Sequence, residues 1–155
     1  MTKYRLLNNE ELQNFEDEFV KYLVVNGITA DDWKKLLEDQ PESAQKIIDM
    51  FSEVVFEKVM RQAKFLQVKR KTYIQSIQCL EDKMIMVALS TKKPELDLTK
   101  LDWANITDYS DFDIHTAEKD YKEDRQKELF ELTEIGYYLS DGELYKALML
   151  LTVKD

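Results

Sequence analysis

Apolar side chains first recur along this chain at intervals of three and four. Leu12, Phe15, Phe19, Tyr22 and Leu23 form one stripe, while Glu10, Glu11, Glu16, Asp17 and Glu18 take the opposite face. That spacing predicts an amphipathic helix with Asn9 as its cap and Gly27 as its stop. Thr29 followed three residues later by Asp32 has the form of a capping pair, so a short second helix follows, buried through Trp33, Leu36 and Leu37 and ended before Pro41. The two are expected to pack as a helical hairpin. Pro41 suits the first turn of a third helix, because the N–H it lacks has no intrahelical partner there. Ala44, Ile47, Ile48, Phe51, Val54, Val55 and Val59 give that helix its stripe. Met50, Phe56 and Met60 fall beside the stripe, which predicts flanks covered by the sheet or by another subunit.

From Thr72 the pattern changes to strand-like runs. "TYIQSIQCL" and "KMIMVALST" are rich in Ile, Val, Tyr and Met, and Glu81 with Asp82 between them predicts a tight antiparallel hairpin near 72–90. The second run is almost continuously apolar, as a strand buried on both faces would be. "KFLQV" at 64–68 reads either as a third strand or as the end of the third helix. Residues 91–113 look irregular, with Trp103, Tyr109 and Phe112 expected to pin the loop to the core. A fourth helix is predicted over about 114–138 through Ala117, Tyr121, Leu129, Leu132, Ile135 and Leu139. A fifth begins at a capping box of Ser140 and Glu143 and runs through Leu144, Ala147, Leu148 and Leu151, with Met149 and Leu150 beside that stripe. The resulting expectation is an α+β fold of about five helices packed with a small two- or three-stranded antiparallel sheet. It forms a single domain over 1–155, divided into helical 1–65, hairpin 72–90, irregular 91–113 and helical 114–153.

Composition changes this picture little. The 155 residues suffice for one hydrophobic core, and 44% hydrophobic content excludes a disordered chain. Three glycines and two prolines leave little loop. Charge matters more: 22 basic against 31 acidic side chains give a net −9, which repels polyanions and anionic membranes at long range. A lone Cys79 excludes an internal disulfide and any multi-cysteine zinc site, and points to a reducing cytoplasm. The N-terminal stretch has no signal-peptide core, and no run approaches the ~20 apolar residues of a membrane span.

Candidate chemistry concentrates in "YSDFDIHTAEKDY", which holds the only histidine. His115 and Glu118 form an H-x-x-E pair on one helical face, with Asp111 and Asp113 just before them; these are the candidate metal ligands, and His115 with Glu118 the candidate catalytic pair. One histidine fills neither a di-iron nor a catalytic zinc pattern, so the stretch reads first as a helix start capped by Ser110 or Asp113. Glu128, Glu131 and Glu134 recur every three residues, yet Arg125 and Lys127 just before them favour a solvated, ion-paired face over a magnesium site. Cys79 reads as a buried hydrophobe rather than as half of a Cys79–His115 dyad. No phosphate loop, dinucleotide fingerprint or nucleophile elbow is present, and no cofactor is expected. Lys58, Arg61, Lys64, Lys69, Arg70 and Lys71 form a basic cluster beside Phe65 and Tyr73, with Lys64, Lys69, Arg70 and Lys71 the candidate interaction residues.

"KYRLL", "NGITADDW", "FSEVVFEKVM", "CLEDKMIMVAL" and "RQKELFELTEIGYYLSDGELYKAL" together resemble a flavobacterial (Bacteroidetes) family of small cytosolic proteins, a domain of unknown function. The resemblance covers nearly the whole chain, rests on packing and capping patterns, and implies no activity, cofactor or site residue. The leading expectation is a small acidic cytoplasmic protein that acts as a non-enzymatic interaction or adaptor module for an unidentified protein partner. Self-association through the third or fifth helix is a variant of it. The alternatives are a small metal-dependent hydrolase using His115 with nearby carboxylates, and RNA contact through 58–71, which the net charge disfavours.

Overall fold

A computed structural model describes residues 4–102 and 110–153. Its helices are α1 (Asn9–Asn14), α2 (Glu16–Val25), α3 (Ala30–Asp39), α4 (Pro41–Gln62), α5 (Arg125–Glu134) and α6 (Glu143–Thr152). Its strands are β1 (Phe65–Lys69), β2 (Tyr73–Cys79), β3 (Lys83–Thr91), β4 (Phe112–Asp120) and β5 (Tyr138–Ser140), and a 3-10 turn spans Leu98–Lys100. The chain divides into two compact units, residues 1–61 and residues 62–155.

The first unit is helical. Its start is fixed by Asn8, whose side chain accepts the Glu11 N–H at 2.9 Å while Glu11 accepts the Asn8 N–H at 3.0 Å, a reciprocal box one residue before the predicted cap. The predicted first helix breaks at Phe15 into α1 and α2, and Gly27, at φ 74°, ends it. Thr29 and Asp32 form the predicted box at the head of α3. Phe51 of α4 is the centre of the packing: the Phe19 ring lies 4.9 Å and the Tyr22 ring 5.4 Å from it, and Trp33 stacks edge-on against Phe19. The segment before α1 runs along α4, where Tyr4 and Leu7 are buried, the Tyr4 hydroxyl donates to Glu57, and the Leu7 N–H donates to Ser52 Oγ at 3.0 Å.

The second unit is built on an antiparallel sheet in the order β4-β3-β2-β1-β5. The hairpin predicted near 72–90 is β2–β3, closed across Glu81 and Asp82 by a Leu80 N–H to Lys83 carbonyl bond. Register fixes the faces. Ile74, Val87 and Leu89 share one face with Phe112 and Ile114, and α6 covers it with Leu144, Tyr145 and Leu148. Leu66, Val68, Ile77, Cys79, Met84 and Ala88 lie on the other face and are also buried, as the nearly continuous apolar run foretold.

The fold class holds at the level of α+β, but its details are corrected: the described residues form six helices and a five-stranded sheet, not about five helices with two or three strands. "KFLQV" is strand β1. The predicted helix over 114–138 is instead strand β4, a turn, helix α5 and strand β5. Ser110 and Asp113 therefore stand at the start of no helix; α5 is capped by Asp124, which accepts the Gln126 N–H at 2.9 Å. Among the predicted loop anchors, Phe112 packs against the core, whereas Trp103 and Tyr109 lie outside the described residues.

The Ser140–Glu143 box is also replaced. Gly142 caps α6 at φ 90°, and its N–H donates to Ser140 Oγ at 3.3 Å, while Asp141 Oδ1 accepts the Glu143 N–H at 3.0 Å. A Cβ at Gly142 would stand 2.6 Å from the Phe65 ring, which itself packs on Tyr145. Strain and collision combine there, so Gly142→Ala should cost about 2–4 kcal/mol, read as a lower urea midpoint at unchanged slope.

Candidate functional site

The acidic, histidine-bearing stretch lies on an edge strand. In β4 successive side chains alternate faces, so His115 points with Asp113 to one side and Glu118 to the other. A separation of three, which joins two residues on a helix, parts them on a strand. The H-x-x-E pair is not assembled. Each candidate carboxylate is instead matched to a lysine: Asp111 to Lys93 at 3.2 Å, Asp113 to Lys92 at 3.6 Å and Glu118 to Lys83 at 3.2 Å. Among the described residues no group of three or more His, Cys, Asp or Glu side chains is placed to hold a metal ion.

Cys79 and His115 share a face but stand two strands and four residues apart in register, about 16 Å by standard strand spacings. Burial pushes the Cys79 thiol up to about 11, with nearby Arg125 opposing the shift, so the thiolate is scarce at neutral pH. Glu128, Glu131 and Glu134 lie along α5. Glu128 accepts the Glu123 N–H at 3.4 Å, and Lys127 pairs with Glu123 at 3.2 Å, as a solvated face would.

The basic cluster is divided by the strand it spans. Lys64 precedes β1 and Lys69 ends it, roughly 17 Å away, with Arg70 and Lys71 beside Lys69 at the tip of the β1–β2 turn. Lys58 and Arg61 are on α4, where Arg61 pairs with Glu57 at 3.2 Å. Phe65, the ring beside that cluster in sequence, packs against Tyr145 and close to Gly142.

Sequence reasoning missed two features. Arg125, taken for a surface charge, donates through Nε to the Leu80 carbonyl at 2.9 Å and through Nη2 to the Ala63 and Cys79 carbonyls at 2.5 and 3.0 Å. The Tyr121 hydroxyl donates to the same Leu80 carbonyl at 2.8 Å, and burial pushes this phenol up to about 12. One guanidinium thereby ties the start of α5 to the ends of β1 and β2. No local motif announces such a clamp, because its partners are main-chain carbonyls 45 to 62 residues away.

The second is a pocket of about 420 Å³ beside the N-terminus of α6. Gln67 and Lys69 of β1, Glu143 and Leu144 of α6, and Asp102 and Asp141 are among the residues that line it. Its described lining contains no imidazole, thiol or hydroxyl group. One ammonium among three carboxylates suits polar recognition, but supplies no nucleophile paired to a base.

A family model described as a family of unknown function, DUF6495, matches residues 1–152, and the chain belongs to that family. Comparison with curated proteins and with solved structures gives no match. No helix among the described residues is long and apolar enough to cross a membrane.

Two measurements probe this core. Arg125→Met leaves three carbonyls without their charged donor and should cost about 2–4 kcal/mol in urea unfolding. A thiol with an ordinary value of 9.0 in the unfolded chain and about 11 in the fold retains its proton only when folded across that interval. Stability contributed by Cys79 is therefore present below pH 9 and lost as pH rises through 11. The tyrosines Tyr121, Tyr137 and Tyr145, raised from 10.0 by burial, act in the same direction from a higher pH. In Cys79→Ala the onset of alkaline destabilisation should move from near pH 9 to near pH 10; an unchanged onset would remove Cys79 from the account.

Proposed function

We propose that this member of the DUF6495 family is a non-enzymatic protein–protein interaction module that receives a protein partner on its helical unit. One observation carries the reading: apolar side chains left in water. Met50 and Val54, one turn apart on α4, are 59% and 52% exposed, and Val20 and Val24, one turn apart on α2, are 52% and 66% exposed. Single exposed apolar residues are ordinary, but pairs spaced to share a helical face form a surface with area to lose on binding. The acidic setting gives that surface a sign. Residues 1–61 carry 13 acidic and 8 basic side chains, with Asp49 and Glu53 beside Met50 and Val54 in sequence. The partner that fits is an amphipathic segment with an apolar face and lysine or arginine at its margins. Met50 supports this choice, because an unbranched thioether adapts to the shape it meets.

The protonated state of Cys79 and the opposed directions of His115 and Glu118 weigh on the same side, since neither offers an activated nucleophile. A flavobacterial cytoplasm is the setting of this reading, where a lone thiol needs no disulfide partner.

Met50→Asp combined with Val54→Asp tests it. Both positions are exposed, so the free energy of urea unfolding should stay within about 0.5 kcal/mol of wild type. Binding of an isolated protein partner should weaken at least tenfold by calorimetry; equal affinity for both proteins would defeat the proposal.

A further inference from the structure

Among the described residues the sheet ends on β4 at one side, and the geometry points to a second copy of this chain as the occupant of its outer edge: we infer that two β4 strands pair antiparallel about a two-fold axis at Thr116, joining two sheets into one.

The direction of the backbone groups follows from the ladder. The Thr91 N–H donates to the Thr72 carbonyl of the β2 side, and the Lys92 N–H donates to the Asp111 carbonyl of the β4 side. Odd residues of β3 thus bond to β2 and even residues to β4. With Ser90 opposite Asp113, Ala88 opposite His115, Met86 opposite Ala117 and Met84 opposite Lys119, it is the odd residues of β4 that bond inward. Ile114, Thr116 and Glu118 turn their N–H and carbonyl groups away from the sheet. None of the described residues pairs with that side of the strand. Helix α6 packs chiefly on β2 and β3, on the face of the sheet rather than along its outer edge.

An open edge invites any strand, and proteins blunt such edges with charge. Here the charges are arranged to accept one particular partner. With the axis at Thr116, outward residues meet outward residues: Ile114 faces Glu118 of the second copy, Thr116 faces Thr116, and Glu118 faces Ile114. Each such pair exchanges two hydrogen bonds. On the other side Asp113 falls opposite Lys119, twice by symmetry, so opposite charges face each other at both ends of the paired segment. Slipping the register by one residue sets outward groups against inward ones and removes the bonds. Slipping by two sets His115 against His115, or His115 against Lys119, and separates Asp113 from Lys119. The alignment with most bonds is also the one that matches the charges.

This pairing stands apart from the helical surface proposed above, and its test separates them. Light scattering of the full chain over a range of concentrations should show mass rising from 18.4 kDa towards twice that value. Thr116→Pro deletes an N–H that points outward, so it should abolish the dimer while leaving the β3–β4 ladder and the urea midpoint nearly unchanged. Asp113→Lys alone and Lys119→Asp alone each set like charges opposite at both positions, and should each weaken the dimer roughly tenfold. Mixing the two single variants restores opposite charges at both positions, and heterodimers should form at wild-type concentration. Met50→Asp with Val54→Asp should leave the dimer intact. A wild-type monomer at every concentration, a dimer that survives Thr116→Pro, or single variants that fail to rescue each other would overturn the inference.

Discussion

Parity along the strands is the constraint on which the second unit depends. A strand sends successive side chains to opposite faces, and the β1–β4 ladders hold that alternation in a fixed register. A shift of one residue would carry Ile74, Val87 and Leu89 away from α6 and put Gln75, Ala88 and Ser90 in their place. The same parity separates His115 from Glu118, leaves Cys79 in an apolar layer, and sets Phe65 under the backbone of Gly142. Packing and chemistry are thus decided by one count of odd and even positions.

How much of this was legible depends on the range of the interactions involved. The helical unit was readable because its signals are local. Thr29 and Asp32 lie three residues apart, and Pro41 marks the start of α4 by a property of its own ring. The cap at Asn8 rather than Asn9, and the break at Phe15, are shifts of the kind local signals leave open. The β2–β3 hairpin was readable for a similar reason, since two apolar runs flank a two-residue connection. Strand β4 was not. An edge strand exposed over most of its length shows no apolar alternation, and "DIHTAEKD" followed by Tyr121 imitates a helix start. Its conformation is imposed by pairing with β3 some thirty residues earlier. Strand β5, three residues long, has no signal of its own and exists by pairing with β1.

Candidate chemistry was legible only as a set of residue types. Asp111, Asp113 and Glu118 are present as noted, but lysines from β3 and the segment after it take each of them. Those ion pairs are exposed and contribute little to stability, and with His115 and Glu118 on opposite faces the carboxylates form no cluster for a cation. Arg125 shows the converse. Its sequence neighbours are charged, so it read as one more solvated cation, whereas its hydrogen bonds go to carbonyls gathered by the sheet. That use of arginine follows from geometry: a planar fork with several donors can serve two chain ends at once, where a lysine could not.

Net charge sets the terms on which such a protein meets any partner. At −9, two copies repel each other through solvent before any strand edge is close enough to pair. That repulsion is long-ranged and fades within a Debye length of about 8 Å at physiological ionic strength. Opposed Asp113 and Lys119 side chains act at contact and are screened less. Added salt therefore removes the barrier faster than it removes the attraction, and encounter between copies becomes a matter of register rather than of net charge. A basic partner at the helical unit experiences the reverse, since there the long-range field draws it in and salt weakens the approach. The sign of the salt dependence thus distinguishes the two surfaces by physics alone, with the acidic composition common to both.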